Sequence, residues 1–186
     1  MKLKNNNLIL ALIVIISVAS VALRLLPHLP NFAPIGALAL FVGIYAKKKI
    51  WFLAPIAAMF FSDLVIGFDS WKMRVVVYGS FLVYVLLGVF AGKNKSFGTV
   101  VGGTLAGALF FYLSTNFTVW AFSGMYLHTF QGLILCYEMA LPFFRNTLAG
   151  DLFYVGSFVG AYEFVYWLFS RRLLFFRNRR ALEIAG

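Results

Sequence analysis

The sequence predicts an all-α integral membrane protein with six transmembrane helices and both termini on the inner side of the membrane. Of its 186 residues, 62% are hydrophobic and 12% are charged, whereas soluble domains carry about 25% charged residues. Apolar segments recur along nearly the whole chain, which is typical of multi-span membrane proteins. Basic residues cluster between these segments, so the net charge of +10 indicates membrane topology rather than nucleic-acid binding.

The length allows one transmembrane domain, residues 1–186, with no separate soluble module. The predicted spans are residues 8–26, 32–46, 50–68, 75–91, 100–120 and 147–169. A spanning helix needs about 20 residues, so the second segment is short. The first segment also resembles a cleavable signal peptide, because small residues stand at Ser17 and Ala19. Since its apolar run continues to Leu26, we expect a retained first helix.

The apolar stretch at residues 129–144 is short, and Gln131, Glu138 and Pro142 interrupt it. With six spans and the N-terminus inside, twelve basic residues fall on the inner side: Lys2, Lys4, Lys47, Lys48, Lys49, Lys93, Lys95, Arg171, Arg172, Arg177, Arg179 and Arg180. Four fall outside: Arg24, Lys72, Arg74 and Arg145. A seventh span would move the C-terminal arginines outside. We therefore predict a short outer-surface or re-entrant helix here, between spans five and six.

Polar residues inside the predicted spans are the candidate functional residues, since such side chains are rare in lipid. At a rise of about 1.5 Å per residue, Arg24, Asp63, Asn116 and Asp151 are all expected in one outer layer of the bundle. Two pairings of opposite charge are available there, Arg24 with Asp63 and Arg145 with Asp151. These groups either form ion pairs that fix the helices or face a water-filled cavity that binds a polar ligand.

The loop PHLPNFAP, residues 27–34, joins the first span to the short second one. Its three prolines prevent the helix from continuing, and short or interrupted spans mark binding sites in transporters. The alternative is a tight turn at the outer surface. The predicted ligand-binding residues are Arg24, His28, Asn31, Asp63, Asn116, Trp120, Tyr137, Glu138 and Asp151. Aromatic residues of the outer half either stack on a flat ligand ring or form an interfacial belt.

Signatures of enzyme chemistry are absent from the sequence. Zinc-protease, phosphate-loop and nucleophile-elbow motifs do not occur, so we expect no enzyme, no catalytic residues and no cofactor. The single Cys136 excludes an intramolecular disulfide. Together with His28 and His128, it fits no zinc-binding spacing, so we expect no metal site.

Glycines at helical spacing predict close helix contacts in the fifth and sixth spans. Gly98–Gly102 and Gly103–Gly107 in the fifth span, and Gly156–Gly160 in the sixth, fit the small-xxx-small pattern that lets helices approach closely. We expect all three pairs to pack inside the bundle.

Three blocks carry a family resemblance: RLLPHLPNFAPIGALALFVG (24–43), SDLVIGF (62–68) and CYEMALPFFRNTLAGDL (136–152). They resemble an uncharacterised bacterial family of six-span membrane proteins described only as transport proteins. The size, six-span layout and orientation are also similar to the substrate-binding S components of energy-coupling-factor (ECF) vitamin transporters. That similarity implies a coupling membrane protein and ATPases as partners, although the first helix lacks the clean small-residue repeat with which S components dock.

Together these features predict a multi-pass protein of the inner (plasma) membrane that captures a small molecule, a vitamin or similar solute, from the outer side. Its expected partners are this solute and the lipid bilayer, and no nucleic acid. The alternative is a non-transporting membrane scaffold or assembly factor whose polar layer only ties the helices together.

Overall fold

The computed structural model describes the backbone of residues 6–185 and the side chains of residues 8–168. In that part of the chain the regular elements are six α-helices: α1 (Asn6–Leu25), α2 (Ile35–Tyr45), α3 (Ala54–Ile66), α4 (Trp71–Lys93), α5 (Phe97–Phe122) and α6 (Phe130–Ala185). A short 3-10 turn, Lys49–Leu53, leads into α3. The all-α prediction is confirmed. The side chains of the N-terminal lysines and C-terminal arginines, which contribute to the predicted orientation, lie outside the described residues.

Four of the described segments are long and apolar enough to cross a membrane: Leu8–Leu25, Lys49–Ile66, Trp71–Lys93 and Phe97–Phe122. They coincide with the first, third, fourth and fifth predicted spans. Serine caps fix where two of them begin. Ser70 accepts a hydrogen bond from the backbone of Met73 at the start of α4, and Ser96 and Thr99 form a reciprocal capping box at the start of α5. These apolar helices indicate a membrane-embedded protein.

Helix α2 occupies the centre of the bundle and packs against all the other helices. Ten of its eleven residues are buried. Its sequence, IGALALFVGIY, is apolar on every face, which is typical of a helix enclosed by others. At about 1.5 Å per residue it is about 16 Å long, roughly half the thickness of the hydrocarbon core. The predicted short second segment is therefore a half-length helix that begins within the bundle and ends beside the exposed lysines 47–49.

Glycines bring α2 and α4 into direct backbone contact. A Cβ atom on Gly43 would lie 2.1 Å from the carbonyl oxygen of Val85. A Cβ atom on Gly88 would lie 2.3 Å from the carbonyl oxygen of Leu40. No side chain fits at either position, so small residues determine how closely these helices approach.

Residues 130–144 do not form the predicted separate outer-surface or re-entrant helix, and that prediction is wrong. They form the first part of α6, which continues through Pro142. A proline inside a helix costs about 3 kcal/mol, but Tyr112 of α5 holds α6 on both sides of it. The Tyr112 ring lies 5.4 Å from that of Tyr137 and 4.5 Å from that of Phe144. Its hydroxyl donates to the carbonyl oxygen of Tyr137 at 2.7 Å.

The three predicted glycine pairs differ in what they contact. Gly103–Gly107 packs inside the bundle, as expected, with a Cβ atom on its second glycine 2.4 Å from the ring of Tyr84. Around Gly156–Gly160, no described atom lies within 4 Å of either Cβ position. Around Gly98–Gly102, the nearest described atom is the Ser96 hydroxyl oxygen, 3.9 Å from the first Cβ position. The expectation that these last two pairs pack inside the bundle is wrong for the described chain.

Candidate functional site

The ends of α1, α3 and α4 that lie away from the lysine loops are joined by an ion pair between Arg24 and Asp63, which we call the outer ion pair after its predicted side of the membrane. Arg24 Nη1 donates to Asp63 Oδ1 at 2.5 Å and also to the hydroxyl of Ser62. The hydroxyl of Tyr78 donates to Asp63 Oδ2 at 2.6 Å. The available pairing of Arg24 with Asp63 is therefore present, and each carboxylate oxygen has a donor. The ligand-binding role of these two residues stays a prediction.

A second buried carboxylate, Asp151 of α6, lies deep in the bundle and is only 3% exposed. The hydroxyl of Tyr84, from α4, donates to its Oδ2. Among the described side chains, the ion pairs are Arg24 with Asp63 and Lys95 with Glu163, and no basic group pairs with Asp151. The available pairing of Arg145 with Asp151 does not form. Both residues lie on α6 at a spacing of six, which places them on different faces, unlike the spacings of three and four that bring side chains together.

Two glycines provide the space that Asp151 and Tyr84 occupy. A Cβ atom on Gly36 would lie 2.5 Å from Asp151 Oδ1, and one on Gly107 would lie 2.4 Å from Cε1 of Tyr84. Gly36 lies in the first turn of α2, where backbone N–H groups have no partner within the helix and the helix dipole favours a negative charge. We call Asp151, Tyr84, Gly36 and Gly107 the central carboxylate site.

Asn116 and Asp151 do not share one layer, so the expected common outer layer is wrong for this pair. The thiol of Cys136 donates to the carbonyl oxygen of Asn116 at 3.4 Å, which places these two residues at the same height. From residue 136 to residue 151, α6 rises about 22 Å. The prediction assumed that the sixth span begins at Thr147, whereas the helix begins at Phe130. Asp151 therefore lies deeper than the sequence indicated.

The loop at residues 27–34 is a tight turn. The backbone N–H of Phe32 donates to the carbonyl oxygen of Leu29 at 2.9 Å, and Asn31 has a φ of 64°, a left-handed conformation that asparagine tolerates better than most residues. Asn146 of α6 donates to the carbonyl oxygen of Pro30 at 3.0 Å and so fixes the loop to the bundle.

The other predicted ligand-binding residues lie towards the end of the bundle that carries the outer ion pair. Trp120 Nε1 donates to the carbonyl oxygen of Leu127 at 3.0 Å, and the Tyr137 hydroxyl to that of Leu113 at 2.8 Å. Asn116 Nδ2 donates within its own helix. Three residues are exposed: His28, Asn31 and Glu138. The hydrogen bonds of Trp120, Tyr137 and Asn116 are therefore with backbone carbonyl groups of the α5–α6 hairpin. They do not reach the central carboxylate site.

Two cavities lie elsewhere in the described bundle. A small one of about 30 Å³ is lined by residues that include Ile13, Lys47 and Trp51. A larger one of about 600 Å³ lies between α5 and α6, with Thr104 and Gly156 in its walls. Neither is lined by a predicted ligand-binding residue. Among the described side chains, no three His, Cys, Asp and Glu residues come together in a way that could hold a metal ion.

A family model matches residues 2–173, and the family is described as a family of unknown function, DUF6580. The chain belongs to this family. Comparison with curated proteins and with solved structures finds no match. Membership of DUF6580 brings no assigned activity, so the resemblance to transport proteins and to ECF S components stays a prediction.

Three residues of the central carboxylate site, Tyr84, Gly36 and Gly107, are not among the predicted ligand-binding residues. Gly107 was predicted only to pack helices together, with Gly103. A signal exists for each of the other two. Tyr84 lies in the middle of α4, far from the membrane interface where tyrosines are usual. Gly36 follows Pro34, at the start of a helix, where a glycine lowers helix propensity. Neither signal names the partner, because the contact with Asp151 joins residues 36, 84 and 151 from three helices.

Proposed function

We propose that this member of DUF6580 is a six-span solute-binding and transport protein of the inner membrane, which takes up a small molecule from the outer side. The positions of the lysine loops support this orientation. Lys95 follows α4 and contacts the ring of Tyr45, at the end of α2, at 5.0 Å. The loops that carry Lys47 and Lys93 therefore lie at the same end of the bundle, as the positive-inside rule requires.

The observation that carries the proposal is the burial of the Asp151 carboxyl group without a cationic partner among the described side chains. Moving a carboxylate out of water costs several kcal/mol unless a cation pairs with it, and here one tyrosine hydroxyl is its side-chain partner. An asparagine would accept the same hydrogen bond without that cost. Ionisable residues inside membrane bundles mark substrate and ion pathways, and half-length helices with N-termini inside the bundle occur at transporter sites.

The central carboxylate site can do three kinds of chemistry. Its carboxylate can accept a proton, bind a cation, or bind the cationic group of a solute, and the Tyr84 hydroxyl can donate or accept beside it. The chain has no nucleotide-binding motif. Inward movement of the solute therefore draws on an ion gradient or on partners, a coupling membrane protein with ATPases.

The scaffold alternative is favoured by one observation, the completeness of the outer ion pair. Both oxygens of Asp63 have donors from other helices, which is the arrangement expected of a group that only ties helices together. The two functions differ at Asp151, since a scaffold has no use for a buried carboxylate that no cation neutralises.

Mass spectrometry of denatured extracts tests the proposal. The protein is purified in detergent as wild type, as Asp151→Asn and as Asp63→Asn, and each extract is searched for a stoichiometric small molecule. We expect one recurrent compound in the wild type and its loss in Asp151→Asn. Asp63→Asn shows the effect of disturbing the outer ion pair alone. A wild-type extract without such a compound, or one whose compound survives in Asp151→Asn, contradicts the proposal.

A further inference from the structure

The larger cavity, which we call the α5–α6 groove, has an apolar body and one polar end. Its volume is about 600 Å³, within the range of sites that bind small ligands. Apolar and small residues form its walls, among them Val101, Leu152, Val155, Gly156 and Gly160. The polar end is formed by Lys95, Ser96 and Glu163. This shape fits an amphiphile with a long apolar part and a charged head.

The walls of the groove favour an apolar ligand. At Gly156 and Gly160, no described atom lies within 4 Å of a Cβ position, so these glycines keep the groove open. Thr104 is the polar residue of the wall, and its hydroxyl already donates to the carbonyl oxygen of Val100 at 2.9 Å. Burial of hydrocarbon is therefore the interaction that most stabilises a ligand in the body of the groove.

The polar end of the groove carries excess positive charge. Lys95 Nζ lies 2.5 Å from Glu163 Oε1, and the two side chains are 39% and 40% exposed. An ammonium group has three donors, so Lys95 can bind a further acceptor while it keeps this contact. Four more lysines are exposed at the same end of the bundle: Lys47, Lys48, Lys49 and Lys93. Among the described side chains, Glu163 is the one carboxylate at this end against five lysines, so an anionic head is favoured.

We propose that the α5–α6 groove binds an anionic phospholipid, with an acyl chain in the groove and the headgroup phosphate at Lys95. Basic pockets between membrane helices bind anionic headgroups in this way. A second copy of the chain suits the groove less well. Copies in one membrane share an orientation, so a neighbour would bring its own lysine loops to the same height, and like charges would meet. This inference does not depend on the proposed transport function.

Native mass spectrometry of the purified full chain tests the proposal, with phosphatidylglycerol and phosphatidylcholine of identical acyl chains added in turn. We expect the wild type to retain one phosphatidylglycerol with about fivefold preference over phosphatidylcholine, because both headgroups carry the phosphate but only phosphatidylglycerol brings a net negative charge to Lys95. Equal retention of both lipids overturns the proposal. Thermal unfolding of every variant in the same detergent shows which ones are folded.

Substitutions in the groove separate the acyl-chain contact from general lipid binding. Gly156→Leu and Gly160→Leu fill the groove, and each should abolish the retained phosphatidylglycerol. Gly79→Leu is the matched control, because Gly79 also has nothing within 4 Å of its Cβ position but lies on α4, outside the groove. Loss of lipid in all three variants overturns the proposal. So does a change from dimer to monomer mass in Gly156→Leu with the lipid retained, which would identify a second copy as the occupant.

Substitutions at the polar end test the headgroup contact. Lys95→Gln should lower the preference for phosphatidylglycerol, because it removes the lysine that contacts the headgroup while the other lysines at this end remain. An unchanged preference overturns the proposal. Glu163→Gln should keep or raise that preference, because it removes the carboxylate that competes for Lys95. If the ion pair only holds α5 and α6 together, both variants change lipid retention in the same direction. That result overturns the proposal.

Discussion

Asp63 and Asp151 are the buried carboxylates among the described side chains, 6% and 3% exposed, and their surroundings differ. Asp63 receives the Arg24 guanidinium at 2.5 Å and the Tyr78 hydroxyl at 2.6 Å. Asp151 receives the hydroxyl of Tyr84, and its other oxygen faces the backbone of α2 at Gly36. Asp63 is neutralised by Arg24 from another helix, whereas Asp151 fits into the bundle because Gly36 has no side chain.

Under the proposed function, this difference separates a carboxylate that holds helices together from one that binds. A neutralised ion pair adds specificity to helix packing, and a well-packed apolar pair of similar volume can replace it with little loss of stability. A carboxylate without a cation weakens the fold in its charged form. Its presence at Asp151 is explained if the site exchanges a proton, a cation or a cationic solute during transport.

The largest loss of stability is expected when one partner of the outer ion pair is removed. Arg24→Ala leaves the buried Asp63 without its cation, which should lower the free energy of unfolding by about 3–5 kcal/mol. Thermal unfolding in detergent measures this loss. Replacing the pair together, as Arg24→Met with Asp63→Leu, should recover most of it. A loss below about 1 kcal/mol in the single variant would show that the pair is solvated and weak.

The next largest loss is expected at Gly36. In Gly36→Ala the new Cβ atom would lie 2.5 Å from Asp151 Oδ1, and overpacking of this kind costs about 1–3 kcal/mol. Gly79→Ala is the control, because Gly79 has open space around its Cβ position. Combining Gly36→Ala with Asp151→Ala removes the clashing carboxylate, so the two effects should be strongly non-additive. Additive effects would show that the two residues do not touch.

The two tyrosines should differ in a smaller but measurable way. Tyr84→Phe removes the side-chain donor of a carboxylate that has no cation, at a cost of about 1–3 kcal/mol. Tyr78→Phe leaves Asp63 paired with Arg24, so its cost should be about 0.5–1.5 kcal/mol. Paired unfolding curves measure the difference. A greater loss in Tyr78→Phe would reverse the ranking of the two sites.

The smallest effect on stability is expected for the ion pair between Lys95 and Glu163. Both side chains are more than a third exposed, and exposed pairs contribute at most about 1 kcal/mol. Lys95→Gln should therefore unfold close to the wild-type temperature, also at high salt. A large loss would mean that this pair is shielded from water in the membrane.

The helices could be predicted from the sequence because each of them is a local feature. Apolar segments bounded by lysines, serine caps or prolines locate α1 to α5 within a few residues. Residues 130–144 could not be assigned in this way. Pro142 argues against a continuous helix, and Gln131 and Glu138 argue against a membrane span. Tertiary contacts with α5, such as those of Tyr112 on both sides of the proline, stabilise the continuous helix.

The central carboxylate site could be predicted only in part for a related reason. Asp151 is conspicuous as a charge in an apolar segment, and so was a candidate from the sequence. Its depth depends on where α6 begins, and its partners depend on which glycines let α2 and α5 approach. Gly36 and Gly107 contribute by having no side chain. The sequence alone does not show that Asp151 and Tyr84 fill the space beside them.

The most direct test of the contrast between the two carboxylates is thermal unfolding of Asp63→Asn and Asp151→Asn, measured side by side in one detergent. Asp63→Asn loses its ion pair and should be destabilised by about 3–5 kcal/mol. Asp151→Asn keeps the acceptor for Tyr84 and loses a buried charge, so it should be at least as stable as the wild type. If Asp151→Asn is instead destabilised as much as Asp63→Asn, the Asp151 charge serves the fold, and the proposed role of the central carboxylate site is wrong.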